Sequence, residues 1–139
     1  MLFPKKVKHR KWQRARRNKN KIRIASRGTT LAFGSYGLKA KTGSRVNAKQ
    51  IESARRVIRR SMSKTGKMWI RIFPDRPYTA KAAEVGMVKV KGDPKGFEFE
   101  VLPGRILFEV DGVPHSIAER ALKKAGKKLP VKTKVIYRD

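Results

Sequence analysis

The chain has 139 residues and carries 37 Lys or Arg against 10 Asp or Glu, a formal charge of +27. That length supports one domain with a hydrophobic core and no second one, and so dense a charge of one sign repels itself unless an anionic partner neutralises it. With no cysteine in the sequence, disulfides, thiolate catalysis, zinc ribbons and iron–sulfur clusters are excluded.

The charge is unevenly placed. Residues 1–51 hold sixteen bases and no acid, whereas the other 88 residues hold 21 bases and all ten acids. The first stretch has the composition of a nucleic-acid-binding arm leading into a basic helix, the second that of an ordinary, still basic, globular domain. No run approaches the roughly 20 apolar residues of a membrane span, and residues 1–11 lack the apolar stretch of a secretory signal. A cytoplasmic protein with no membrane partner is expected.

Residues 1–27 set Phe3, Val7, Trp12, Ile22 and Ile24 singly among basics, with neither helical nor strand periodicity. Alone, such an arm buries too little apolar surface to offset its ordering entropy, so it is expected to order on its partner. A nuclear-import tail needs only a short Lys/Arg cluster. Spread-out basics with Phe3 and Trp12 available for stacking fit extended phosphate contact better. The candidates are Lys5, Lys6, Lys8, Arg10, Lys11, Trp12, Arg14, Arg16 and Arg17.

Residues 29–41 carry Leu31, Phe33 and Tyr36, interrupted by Gly34 and Gly37, a pattern that predicts a strand with a bend or bulge. The Gly34-Ser35-Tyr36-Gly37 run has the form of a nucleic-acid-clamping GXXG loop, but that loop joins two helices and this run interrupts a strand. Asn47 is a good N-cap for a helix from 48 to about 64, closed by Gly66. Ile51, Ala54, Ile58 and Met62 form its core stripe with Val57 beside it. Arg55, Arg56, Arg59 and Arg60 flank that stripe, and the like-charge pairs four residues apart each cost about 0.2–0.5 kcal/mol in isolation. A solvated helix face normally intersperses acids, yet Glu52 is the only acid before Arg71. A phosphate partner explains this face better than water does.

Residues 67–73 alternate Met68, Ile70 and Ile72 with Lys67, Trp69, Arg71 and Phe73 and read as a strand stopped by Pro74. Residues 75–96 read as a long projecting loop with room for short strands near its ends. Residues 97–102 and 105–110 alternate about Pro103-Gly104 and predict an antiparallel hairpin with a type II turn. Glu98 and Glu100, alternating with Phe97 and Phe99, are expected on the outer face of the first of these strands. A second helix over 116–125 places Ile117, Ala121, Leu122 and Ala125 on one face, and residues 131–137 alternate as a closing strand. Strands dispersed among two helices, without a regular repeat, predict an α+β domain. Neither His9 nor His115 has a spaced partner, and no P-loop, nucleophile elbow or HExxH motif occurs, so neither enzyme nor cofactor nor small-molecule substrate is expected.

Several stretches, taken together in order and spacing, resemble the L-sixteen/L-ten-e family of large-subunit ribosomal proteins. They are Met1-Leu2-Phe3-Pro4-Lys5-Lys6, Phe33-Gly34-Ser35-Tyr36-Gly37-Leu38, Gln50-Ile51-Glu52-Ser53-Ala54-Arg55-Arg56, Lys67-Met68-Trp69-Ile70-Arg71-Ile72-Phe73-Pro74-Asp75, Pro103-Gly104-Arg105 and Lys128-Leu129-Pro130-Val131-Lys132-Thr133. The resemblance covers nearly the whole chain. It implies a hammerhead-type α+β domain over 28–139 of mixed or antiparallel strands, with a basic arm over 1–27. It also implies a structural, non-enzymatic role: binding to large-subunit rRNA beside neighbouring ribosomal proteins, and contact with A-site tRNA and, as a second candidate, P-site tRNA. The arm points towards the peptidyl-transferase region in that family. The rival reading from composition alone is a free nucleic-acid chaperone or architectural DNA binder.

Two departures stand out. Where the family has Arg-Met-Gly-x-Gly-Lys-Gly in its tRNA-facing loop, this chain has Gly86-Met87-Val88-Lys89-Val90-Lys91-Gly92. The arginine that some members hydroxylate is absent, and Val88 and Val90 restrict the loop to extended conformations. Met87, Lys89 and Lys91 are the tRNA-facing candidates that remain. In the arm, residues 18–27 look longer than usual, and Ala15 stands where glycine is common.

Overall fold

The computed structural model describes Leu2 and residues 24–62, 64, 66–79 and 94–138. Among these the chain order is β1 (Tyr36–Ala40), β2 (Ser44–Asn47), α1 (Ala48–Ser61), β3 (Lys67–Ile70), β4 (Arg76–Thr79), β5 (Pro94–Val101), β6 (Ile106–Asp111), α2 (His115–Gly126) and β7 (Thr133–Tyr137). The α+β expectation holds. Four strands form one sheet in the order β3-β6-β1-β7, and three form a second in the order β2-β5-β4. Every pairing is antiparallel.

The helices pack on each other; α2 lies against β1, β6 and β7 of the larger sheet, and α1 against β2 and β5 of the smaller. The shared core contains Leu38, Val46, Ile51, Ala54, Ile58, Met62, Val101, Phe108, Val110, Ala121 and Leu122. The stripe expected on α1 is thus the buried one, with Val57 half-buried beside it. Asn47 caps α1 reciprocally: its side chain accepts from the Gln50 N–H at 2.8 Å, and its own N–H donates to Gln50 Oε1 at 3.0 Å, satisfying two end donors.

Several expectations need correction. The strand predicted from 29 begins only at Tyr36, because the N–H groups of residues 32–34 are taken by a side chain and cannot join a ladder. The irregularity does not fall at Gly34 or Gly37. Leu38 pairs with Phe108 while Lys39 pairs with Ile106, so Leu107 is the extra residue of a bulge in β6 and is fully buried. The short β2 has no counterpart among the expected elements. Helix α1 ends at Ser61, three residues early, where Met62 turns extended, its N–H donating to the Ile58 carbonyl. Gly66 instead admits close packing, since a Cβ there would lie 2.6 Å from the Met62 methyl and 2.9 Å from Val113.

No hairpin joins β5 to β6. The turn itself is as expected, with Gly104 at φ +98° and the Arg105 N–H donating to Leu102 O at 3.2 Å, the geometry of type II. It passes the chain from the smaller sheet to the larger rather than folding it back. Strands β4 and β5 occupy the two ends of the long loop region and pair with each other. Helix α2 starts one residue earlier than expected and buries Ala118, Ala121, Leu122 and Ala125, leaving Ile117 exposed. The closing strand begins at Thr133 rather than 131.

Candidate nucleic-acid interface

The expected basic helix face exists, and the structure divides its arginines into two pairs. The buried stripe of α1 runs through Ile51, Ala54 and Ile58, and at 3.6 residues per turn the opposite side carries Lys49, Arg56 and Arg60. All three are exposed, and the Arg56 side chain is 67% accessible. Arg55 and Arg59 sit on the flank instead. Arg55 holds Glu52 with both Nε and Nη2, and Arg59 Nη1 donates to the Gly66 carbonyl at 3.0 Å. The Glu52 carboxyl is lowered to about 2, chiefly by the Arg55 hydrogen bond. Glu52 also reaches Arg56, at 3.3 Å, so this single acid relieves the repulsion expected along the helix.

Other arginines are committed inside the protein. In the smaller sheet Glu98 is 5% exposed, which corrects its expected place on an outer face. Arg45 lies 3.7 Å from Glu98, and Arg76, itself buried, donates to Glu100 at 3.1 Å. Burying a carboxylate on a central strand is tolerable because bases on both neighbouring strands face it.

On the larger sheet, Trp69, Glu109, Gly37 and Ile136 are cross-strand neighbours and so share one face. Met68, Val110, Leu38 and Val135 share the other, which packs into the core with the helices. Residues 31–34 lie over the first face. Glu109 is fully buried there, and its Oε1 accepts the N–H groups of Ala32, Phe33 and Gly34 at 3.0, 2.9 and 2.9 Å. Its other oxygen accepts from Arg71 Nη1. Burial alone would raise this carboxyl; the three N–H donors and Arg71 outweigh it and hold it below the usual range.

The two glycines of the GXXG-like run serve this packing. A Cβ on Gly34 would come within 2.6 Å of the Val110 carbonyl oxygen, and one on Gly37 would overlap the Leu31 side chain. Over the same face Phe33 stacks on Trp69, with centroids 6.0 Å apart and planes 19° apart, and Arg71 Cζ lies 5.1 Å from the Phe33 ring centre. Sequence reasoning does not single out Phe33, Trp69 or Arg71 as a site. The usable signal is the alternation of 67–73, which puts two aromatics on the polar face of its strand.

Arg105 ties the start of the described chain to this sheet. Its Nη2 donates to Arg71 O at 2.7 Å, its Nη1 faces Arg27 O at 3.4 Å, and its Cζ stands 5.2 Å from the Phe99 ring centre. Burial, then the Arg71 charge, lowers its pKa below the ordinary arginine value. Ala25 N–H donates to Pro103 O and Ile106 N–H to Gly28 O, while Leu2 is half-buried against the core. His115, which has no spaced partner in the sequence, sits edge-on to both Tyr36 and Tyr137 at 5.5 Å. Among the expected site residues, Lys5, Lys6, Lys8, Arg10, Lys11, Trp12, Arg14, Arg16 and Arg17, and the loop residues Met87, Lys89 and Lys91, lie outside the described residues. Among the described residues no cluster of His, Cys, Asp or Glu could hold a metal, and no helix is long and apolar enough to cross a membrane.

A family model described as "Ribosomal protein L16p/L10e" matches residues 4–136. The chain is 54% identical over 138 residues to the large ribosomal subunit protein uL16 of Sphingopyxis alaskensis, covering 99% of this chain and 94% of the relative. It is 49% identical to that of Parabacteroides distasonis, over 99% of this chain and 93% of the relative. With the protein of the same name from Rickettsia massiliae it shares 51% identity, over 99% of this chain and 98% of the relative.

Proposed function

The chain belongs to the ribosomal protein L16p/L10e family, and from that premise we propose how it serves as a structural, non-enzymatic constituent of the large subunit of the cytoplasmic ribosome. The outer ridge of α1, Lys49, Arg56 and Arg60, neutralises rRNA phosphates, with Arg55 and Arg59 as flanking contacts that the protein already holds in place. The basic residues of 1–27 act as an arm ordered on rRNA, and residues 28–139 are the globular RNA-binding domain. The loop between β4 and β5 carries Met87, Lys89 and Lys91 towards A-site tRNA, with P-site tRNA as a second candidate, and neighbouring ribosomal proteins complete the surroundings.

One observation carries this reading. Helix α1 buries one stripe fully while the side opposite presents only bases and Ser53, and no carboxylate but Glu52 lies on the helix. Such a face fits a polyanion better than water. The test is sedimentation of cell extract through a sucrose gradient in moderate salt. The protein should run with large subunits and remain there; recovery only from the free pool would overturn the assignment. Binding of the purified protein to duplex DNA as tightly as to a large-subunit rRNA fragment at equal salt would favour the free-chaperone reading.

A further inference from the structure

We infer that Phe33 is a stacking platform for one unpaired base of the RNA, a deepening that rests on the rRNA-binding reading above. Phe33 is 57% exposed, which is unusual for a side chain held so firmly. Trp69 and Arg71 project from the same face of the larger sheet, two residues apart, and both lie against the Phe33 ring. Its backbone is fixed by Glu109, which accepts three consecutive N–H groups centred on Phe33 itself. The ring is therefore held against Trp69 and Arg71 while more than half of the residue stays open to solvent.

The surroundings select the occupant. Lys67 is exposed on that face of β3, and Arg138, also exposed, reaches the Leu31 carbonyl with its guanidinium. Glu109 is neutralised beneath the platform by Arg71, and Asp111 stands opposite Lys67 in the strand register. The rim is thus net positive in a chain of +27. An apolar protein segment would gain nothing from that charge, whereas a nucleobase brings a π face for the ring and a phosphate on either side for the bases. A stack of this kind accepts any base, so the site reads that a nucleotide is unpaired rather than which one it is.

The experiment uses the full chain and a large-subunit rRNA fragment that the wild type binds. Phe33→Ala should weaken binding about five- to a hundred-fold, the range of one base–aromatic stack, with the slope of log affinity against log salt unchanged because the substitution removes no charge. Phe33→Tyr should bind like the wild type. Phe33→Leu keeps apolar cover over Trp69 but lacks the π face, and should behave like the alanine variant while remaining folded at the assay temperature. Ultraviolet crosslinking of assembled subunits should join Phe33 to a base. Wild-type affinity in the leucine variant, or a crosslink from Phe33 to a protein, would overturn the platform while leaving the rRNA reading intact. Failure of the wild type to bind any large-subunit rRNA would sink that reading instead.

Discussion

At the scale of single residues, Glu109 shows how a charge can serve the fold in a protein whose surface serves an anion. It is one of ten acids among 37 bases, and it is wholly buried. Removing it leaves three N–H groups and the Arg71 guanidinium without their acceptor, so Glu109→Ala should cost about 3–5 kcal/mol. Glu109→Gln keeps an oxygen for the N–H groups but turns its amide towards Arg71, and should cost less. The pH dependence follows from the sign of the shift. A carboxyl whose folded pKa lies below its unfolded value contributes stability that is complete above the unfolded value, about 4.5, and lost as pH falls through the folded one. Urea midpoints taken from pH 7 down to pH 3 should fall for the wild type and fall less for the glutamine variant. Parallel curves would remove Glu109 from the account. Glu52 follows the same rule, its share fading between 4.5 and about 2, which makes the two carboxylates separable only by mutation.

Among the elements, α1 is the most legible in the sequence. Its cap, stripe and basic face follow from local periodicity, and the structure reproduces all three. Its end is not legible, because Met62 is captured by the core, a tertiary event that outweighs the glycine signal at Gly66. The turn at Leu102-Pro103-Gly104-Arg105 is legible and its consequence is not, since a local turn type does not say which sheet receives the next strand. Glu98 and Phe33 are hidden for a related reason: alternation predicts two faces of a strand but not what a neighbouring strand or loop lays over each. The pairing of β4 with β5, Arg76 opposite Glu98 through Thr79 opposite Pro94, makes the intervening loop a connection between two joined strands. On the proposed tRNA role, Lys89→Ala with Lys91→Ala should slow A-site tRNA accommodation in reconstituted ribosomes while subunit assembly proceeds. The opposite order of sensitivity would make the loop an assembly element.

For the whole molecule, formal charge overstates what is available to a partner. Of the described arginines, Arg45, Arg71 and Arg76 face internal carboxylates and Arg105 faces internal carbonyls, whereas Arg56 and Arg60 stand outward on α1. Leu2 against the core and the Ala25 N–H on the Pro103 carbonyl are attachment points near either end of residues 1–27, the proposed arm. The proposed binding face joins this basic segment to the helix ridge, with the Phe33 surface on the larger sheet as a separate contact. No sequence count could separate internal from external bases, because the distinction depends on which strands meet.

The most direct test of the central claim is the salt dependence of affinity for a large-subunit rRNA fragment, measured for two double variants. Each phosphate that a variant no longer neutralises should reduce the slope of log affinity against log salt by about 0.7–0.9. Arg56→Ala with Arg60→Ala should therefore lower it by about 1.4–1.8, and Arg55→Ala with Arg59→Ala by less, since those two are partly engaged within the protein. A slope and affinity unchanged in the Arg56 and Arg60 variant would place the ridge of α1 in solvent and contradict the account.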